Sequence, residues 1–290
     1  MILPRFLLKL FLVLLAVFFL SGCDAKEIQE REKLTIGVVS YGEETISLQK
    51  YERFKDYIAA RTQSIVELEP AYNELQAIEQ IQRQRWDIVF APPGLAAIAI
   101  ADSLYVPLYA MESISSRQRS LIIVRDEQPI KKMNDLANKK VALGEMGSAA
   151  GYYVPLYDLY GLTLAQIRFA PTPKAVLQLV SEGSVDAGAL SELDFERYYR
   201  EFNTTKFRIL QTSRWIPAGL VLLGPNIERN RQQQIQIAMN EAPGDIIADA
   251  GYVPTASIPK YEQFVKLVQK VKPLEKRVRQ TPVVLLPVNK

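Results

Sequence analysis

Short apolar runs alternate with segments of helical period along most of the chain. Leu34 to Ser40 (LTIGVVS) is an unbroken β-branched run closed by Tyr41-Gly42, which predicts a buried strand and a turn. Leu48, Tyr51, Phe54 and Ile58 follow at spacings of three, three and four, the signature of a helix with one inner face. Ile65 to Leu68 predicts a second strand, Leu75, Ile78 and Ile81 a second helical face, and Asp87 to Phe90 (DIVF) a third strand ended by Pro92-Pro93-Gly94. An apolar helix from Gly94 to Ala101 and a strand from Tyr105 to Met111 complete the first unit. Strands alternating with helices in this way predict a largely parallel sheet covered by helices.

After a strand at Leu121 to Val124 the alternation restarts. Strands are expected at Val141–Leu143, Ile167–Phe169, Val185–Leu190 and Phe207–Leu210, with helices at Ser148–Tyr160, Lys174–Ser181 and Leu193–Glu201 between them. Leu220 to Leu223 is a further strand, and then only helices follow, at Ile227–Asn240, Asp245–Ala250 and Tyr261–Val271. Helices that end a chain after its second sheet are expected to pack back on the first. The tail from Thr281 to Lys290 is apolar between two prolines, and its pattern does not place it.

Composition narrows the chemistry. The chain has 290 residues, 48% apolar and 23% charged, which indicates a folded body of one large or two ordinary domains. Residues 1–22 hold Arg5 and Lys9 and no acid, so the remainder carries 33 basic against 32 acidic residues. That balance lacks the basic field nucleic-acid binding requires. With no histidine, Ser-His-Asp and Cys-His catalysis and His-containing zinc sites are excluded. Cys23 is the one cysteine, so no internal disulfide or thiolate cluster can form. No nucleophile–base pair, metal cluster or phosphate-cradling glycine loop is visible, which argues against an enzyme and against a cofactor.

Residues 1–22 combine a short basic opening with an apolar stretch from Leu10 to Leu20 and then small residues, a secretory signal layout. Eleven apolar residues are too few for a membrane-spanning helix, which needs about 20. Leu20-Ser21-Gly22-Cys23 resembles a bacterial lipobox, which implies cleavage before Cys23, its lipidation, and a body anchored by two or more acyl chains outside the cytoplasmic membrane. The alternative is a buried or accidental thiol. Asp24 resembles the residue that holds enteric lipoproteins at the inner membrane, and the charged segment 23–33 reads as a short solvated tether.

Four stretches carry a further resemblance: LTIGVVSYG, WDIVFAPPGLAAIA, NDLANKKVALGEMGSAAGYYVP from Asn134 to Pro155, and SEGSVDAGALSE from Ser181 to Glu192. Together they are similar to the phosphate/phosphite/phosphonate class of periplasmic substrate-binding proteins of ABC transporters, across Leu34 to Val271. The resemblance implies an α/β, two-lobed periplasmic binding protein of type II with ligand in the cleft. Residues 34–118 and 220–290 would form one lobe and 119–219 the other, with hinge strands at Arg119–Arg125 and Gln211–Gly219. It also implies a small-molecule ligand, oxyanion or organophosphorus, a permease partner, and a monomer that closes on its hinges.

Gly147-Ser148 opens a predicted helix, where unpaired backbone N–H groups and the helix dipole favour an anion. Ser148 reads equally as a plain N-cap. The family position favours a site at Ser148, Ala149, Ala150, Gly151 and Tyr152, joined by Tyr41, Pro92 and Pro93 at strand ends and by Glu192. The aromatic residues among these could instead be core, and Glu192 an ordinary early-helix acid. The family helix usually starts Ser-Thr-Ser-Gly, whereas Ser148-Ala149-Ala150-Gly151 lacks two of the three hydroxyls. Pro173 or Lys174 stands where the family often has histidine, Gln118 where it has tyrosine, and Ile216-Pro217-Ala218 replaces its Asp-Pro. Arg117, Arg119, Lys174 and Arg214 are the candidate replacement donors, unless they are solvated surface charges. Delivery of a solute to a permease and sensing for a membrane receptor or kinase are the two functions compatible with this pattern.

Overall fold

The computed structural model describes residues 32–39, 45–112 and 118–286. Cys23, Tyr41 and Arg117 lie outside them. The body from Lys33 onward is one compact unit built on two sheets.

The first sheet grows from the predicted alternation. β1 (Lys33–Val39), α1 (Thr45–Thr62), β2 (Ile65–Ala71), α2 (Glu74–Gln82), β3 (Ile88–Ala91), α3 (Pro93–Asp102) and β4 (Val106–Met111) follow in order. β1 lies between β2 and β3 and is parallel to both. The second sheet comprises β5 (Ser120–Arg125), β6 (Lys140–Leu143), β8 (Gln166–Phe169), β9 (Ala187–Ser191) and β10 (Phe207–Thr212), in the order β10-β5-β9-β6-β8. Only β6 with β8 and β9 is parallel there; β5 is antiparallel to both of its neighbours. The chain then returns as β11 (Leu220–Leu223), inserted antiparallel between β3 and β4. Both sheets are therefore mixed rather than largely parallel, because the strands on either side of each crossover run against the βα units.

The strands expected as hinges lie beside the links between the sheets. Ser120–Arg125 and Phe207–Thr212 are ladder strands paired with each other; β5 also pairs with β9, whereas β10 is the edge of its sheet. The chain crosses before Ser120 and after Thr212, where Gln118 bridges Ile216.

Helices after β11 divide their loyalties. α7 (Arg229–Asn240) and α8 (Gly244–Ala250) cover the first sheet through Ile235, Ala238, Met239 and Ala250, in a core shared with Phe54, Phe90 and Tyr252. α9 (Glu262–Val271) does not simply return there. It packs on α3 in the first half and on the segment 149–158 in the second. Nor is the C-terminal part all helical. β12 (Tyr252–Val253) pairs with β4, and β13 (Val283–Val284) pairs with β7 (Thr163–Leu164) beside the second sheet. Residues 281–286 of the unplaced tail thus form a strand strap, pinned further by hydrogen bonds of Gly161 N–H to Leu285 O and Leu285 N–H to Leu162 O.

Helical periods held, with one exception. Ile78 and Ile81 are buried, but Leu75 is 39% exposed on the first turn of α2, where Asn73 caps the helix and turns that position outward. Phe54 is fully buried, edge-on to Phe90 at 5.3 Å and to Tyr252 at 5.8 Å. Truncating such a ring leaves a cavity the neighbours cannot fill, so Phe54→Ala should cost about 3–5 kcal/mol, read from the shift in urea midpoint at constant slope.

Candidate functional site

The segment after β6 is where the family resemblance puts the ligand, and its backbone is unusual. Ala149–Tyr153 is a π-helical turn that passes into the short α4 (Val154–Asp158), not the single long helix expected from Ser148 to Tyr160. Both Tyr152 and Tyr153 N–H groups bond to Ser148 O, at 3.2 and 3.1 Å. The wide turn is stabilised from outside. Ser120 Oγ donates to Ala150 O at 2.6 Å, and Gly144 N–H donates to Gly151 O at 2.9 Å. Such π turns are rare and cluster at functional sites.

Ser148 caps this turn: its Oγ accepts the Gly151 N–H at 3.0 Å. An oxygen used in this way still has its own O–H to give, so capping and ligand contact are compatible chemically. Ala149 and Ala150 are each 6% exposed and Tyr152 is 1% exposed. The Tyr152 ring sits edge-on to Tyr153 at 5.1 Å and against Phe169 at 6.2 Å, inside the core. Burial, reinforced by the nearby Glu275 carboxylate, pushes both phenols well above their ordinary range. They stay neutral at any physiological pH.

Pro92 and Pro93 are brought to the same place from the first sheet. Pro92 ends β3 and caps α3, with Pro93 in the first turn. Gly94, next along, meets the π turn directly: a Cβ there would lie 2.0 Å from Gly147 O and 2.9 Å from Ala149 N. Glu192 follows β9, whose last residue, Ser191, pairs with the Ser120 that holds the π turn. It opens α6 (Glu192–Tyr198), and its N–H bonds to Arg119 O at 3.0 Å, which ties it to the link between the sheets.

The candidate replacement donors are placed as follows. Lys174, at the start of α5 (Pro173–Ser181), pairs with Glu201 at 2.5 Å. Arg119 is stacked on the Trp215 ring at 3.6 Å. Along β5, Ile122 and Val124 face the core that holds Tyr152, whereas Leu121 and Ile123 face the core of α5 and β9. Arg119 itself precedes β5, and its buried Nε has no hydrogen-bond partner among the described residues. Arg214 stands over the Tyr157 ring at 5.5 Å, near Asp158, whose carboxyl is raised by burial and lowered in part by that guanidinium. Two shallow surface depressions, of about 320 and 500 Å³, are lined by Gln269–Lys276 residues and by the Arg125/Ser181/Lys206 group, and neither includes a residue of the expected site. Sequence reasoning missed Gly94 and Glu275. The glycine was legible only as a turn residue after two prolines, and nothing local marks Glu275.

Comparison with known proteins follows from this arrangement. Residues 36–253 match the family described as ABC transporter, phosphonate, periplasmic substrate-binding protein. The chain belongs to that family. Among solved structures, a Xanthomonas citri protein solved with ATP aligns at a TM-score of 0.69 and 21% identity, over 83% of this chain and 98% of that one. PhnD1 from Prochlorococcus marinus, solved in complex with methylphosphonate, aligns at 0.62 and 14% identity, over 83% and 98%. A binding protein component of a Pseudomonas aeruginosa ABC phosphonate transporter aligns at 0.58 and 16%, over 77% and 80%. At these identities the likeness is one of fold, that of the type II periplasmic binding proteins. The phosphonate-binding family supplies the substrate-binding component of a transporter rather than an enzyme, and its members act outside the cytoplasm. No helix among the described residues is long and apolar enough to cross a membrane.

Behind the π turn, Glu275 hydrogen-bonds Tyr153 and lies near Asp102 and Lys272, which are paired at 2.6 Å. Burial holds its carboxyl above the ordinary glutamate range; the Asp102 charge adds to this, and Lys272 and Tyr153 oppose it. An acid raised in the folded state binds its proton more tightly there than in the unfolded chain. Its stabilising contribution is present below the ordinary glutamate pKa and is lost as pH rises through the folded value. Glu275→Gln keeps an acceptor for Tyr153 and removes the charge, so it should raise Tm modestly at pH 7. The gain should shrink to nothing below about pH 4, where glutamate is protonated in either state, as a pH series of thermal melts would show.

Proposed function

We propose that this family member is the lipid-anchored, extracytoplasmic solute-binding protein of an ABC transporter, with an oxyanion site reduced relative to the family pattern. The observation that carries the reading is the turn Ser148-Ala149-Ala150-Gly151 at the meeting point of the two halves. It keeps the backbone donors and one hydroxyl and replaces two hydroxyls with buried methyl groups. Each hydrogen bond to a charged oxygen contributes about 1.5–3 kcal/mol, so two lost hydroxyls are a large deficit. The positions of Lys174, Arg119 and Arg214 support the reduction, because each is engaged with another group: Glu201, the Trp215 ring and the Tyr157 ring. A solute with less charge than a phosphonate, and more apolar surface, fits such walls better. Cys23 in its lipobox context supports the anchor, and the charged segment up to Lys33 a short tether.

A second reading, a ligand sensor that reports to a membrane receptor or kinase, is favoured by the close contact of Gly94 with the π turn. A receptor needs only a shift between two states, whereas a transport protein must also load and release solute in bulk.

Two experiments test the proposal. Calorimetry with phosphate, phosphite and methylphosphonate should give dissociation constants weaker than about 1 μM, the equivalent of roughly −8 kcal/mol; tighter binding of any of them would mean that other donors restore the site. Cys23→Ala should move the protein from the membrane fraction to the soluble one, and unchanged fractionation would locate the anchor elsewhere.

A further inference from the structure

We propose that the two halves of this protein are latched shut by their own backbones, with Gly94 seated on the Gly147–Ala149 turn where family members would hold a solute between the lobes. The contact has no room for an intervening atom, since even a methyl group on Gly94 would fall 2.0 Å from Gly147 O. The other side of the seat is equally close. Gly147 has φ +110°, and a Cβ on it would fall 2.4 Å from the Glu74 Cβ in α2. Two glycines, one from each half, are therefore what lets the surfaces meet. This is a different device from closure around a ligand, because protein atoms themselves occupy the joint.

The surfaces behind the contact are apolar. Leu95 and Ile98 from α3, Ala149, Ala150, Tyr152 and Tyr153 from the π turn, and Phe264, Leu267, Val268 and Val271 from α9 belong to one continuous core. Opening the joint would expose this surface to water, which the hydrophobic effect opposes. The C-terminal strap spans the same joint. Tyr261 donates its hydroxyl to Ala218 O at the returning link, Lys270 stands 5.0 and 4.9 Å over the Tyr157 and Tyr160 rings, and Lys272 pairs with Asp102 before β13 joins β7. Any solute must then bind the open fraction alone, so the latch lowers its apparent affinity by that fraction.

The latch can be read without any solute, so the result does not depend on whether the solute-binding reading is right. β2 and β8 are the edge strands farthest from the links in their sheets, and Tyr72 and Pro171, both exposed, follow their ends. Spin labels attached through Tyr72→Cys and Pro171→Cys in the detergent-solubilised full chain carrying Cys23→Ser should show one narrow distance with no solute added. Gly94→Val should broaden that distance and shift it to longer values, and Gly94→Ala should do so by less. Gly244→Ala, a position with open space around it, should leave it unchanged. Circular dichroism establishes that each variant is folded, and the alanine variant alone suffices if the valine variant is not. A broad or long distance in the parent chain, or a distance that folded Gly94 variants leave unaltered, would overturn the proposal.

Discussion

Burial of apolar surface between the two halves is the constraint on which the rest of the structure depends. Each sheet could have had its own core, and each does on its outer side: α1, α7 and α8 cover one, α5 and α6 the other. The inner sides share a third core that runs without a break from Ile78 and Leu95 through Tyr152 to Leu267 and Leu274. Hydrophobic burial is non-directional and scales with area, so this shared core binds the halves through many modest contacts. That explains why residues from Lys33 onward behave as one compact unit although the chain passes between the sheets through two short links and the C-terminal strap.

The same burial sets the chemistry of the candidate site. Three hydrogen bonds satisfy polar groups around the π turn: Ser120 on Ala150 O, Ser148 on the Gly151 N–H, Gly144 on Gly151 O. A charge in this setting would be costly unless paired, and Lys174, Arg214 and Lys270 stay outside it, exposed beside carboxylates or rings. Glu275, behind Tyr153, is partly buried, and that burial holds its carboxyl above the ordinary glutamate range. Ala149 and Ala150, both buried, belong to the same pattern, since methyl groups need no partner.

Much of the secondary structure was legible because local periodicity has a local cause. Strands such as Ile88–Ala91 and Leu220–Leu223 are buried on both faces and so appear as unbroken apolar runs. Helix α9 shows its face through Phe264, Leu267, Val268 and Val271. Failures came where a distant partner decides the outcome. Leu75 has the right spacing for a buried face but sits at a capped helix start. Tyr152 looks like an available aromatic, and its ring is used by Tyr153 and Phe169. β7, β12 and β13 are two residues each, too short to carry a period, and exist because another strand lies beside them.

By itself the sequence determined the α/β alternation, the restart after Val124, the absence of histidine and disulfide chemistry, and alanine rather than a hydroxyl-bearing residue at positions 149 and 150. These are properties of residue type and spacing, and they hold wherever the segments end up. Only the tertiary structure decided that the second chain reversal inserts β11 between β3 and β4, that the C-terminal strap crosses to β7, and that Gly94 rests on Gly147. The physical reason is that each of these joins residues tens to more than a hundred positions apart. Nothing in the local pattern around Gly94 distinguishes a glycine at a helix start from one that permits two backbones to touch.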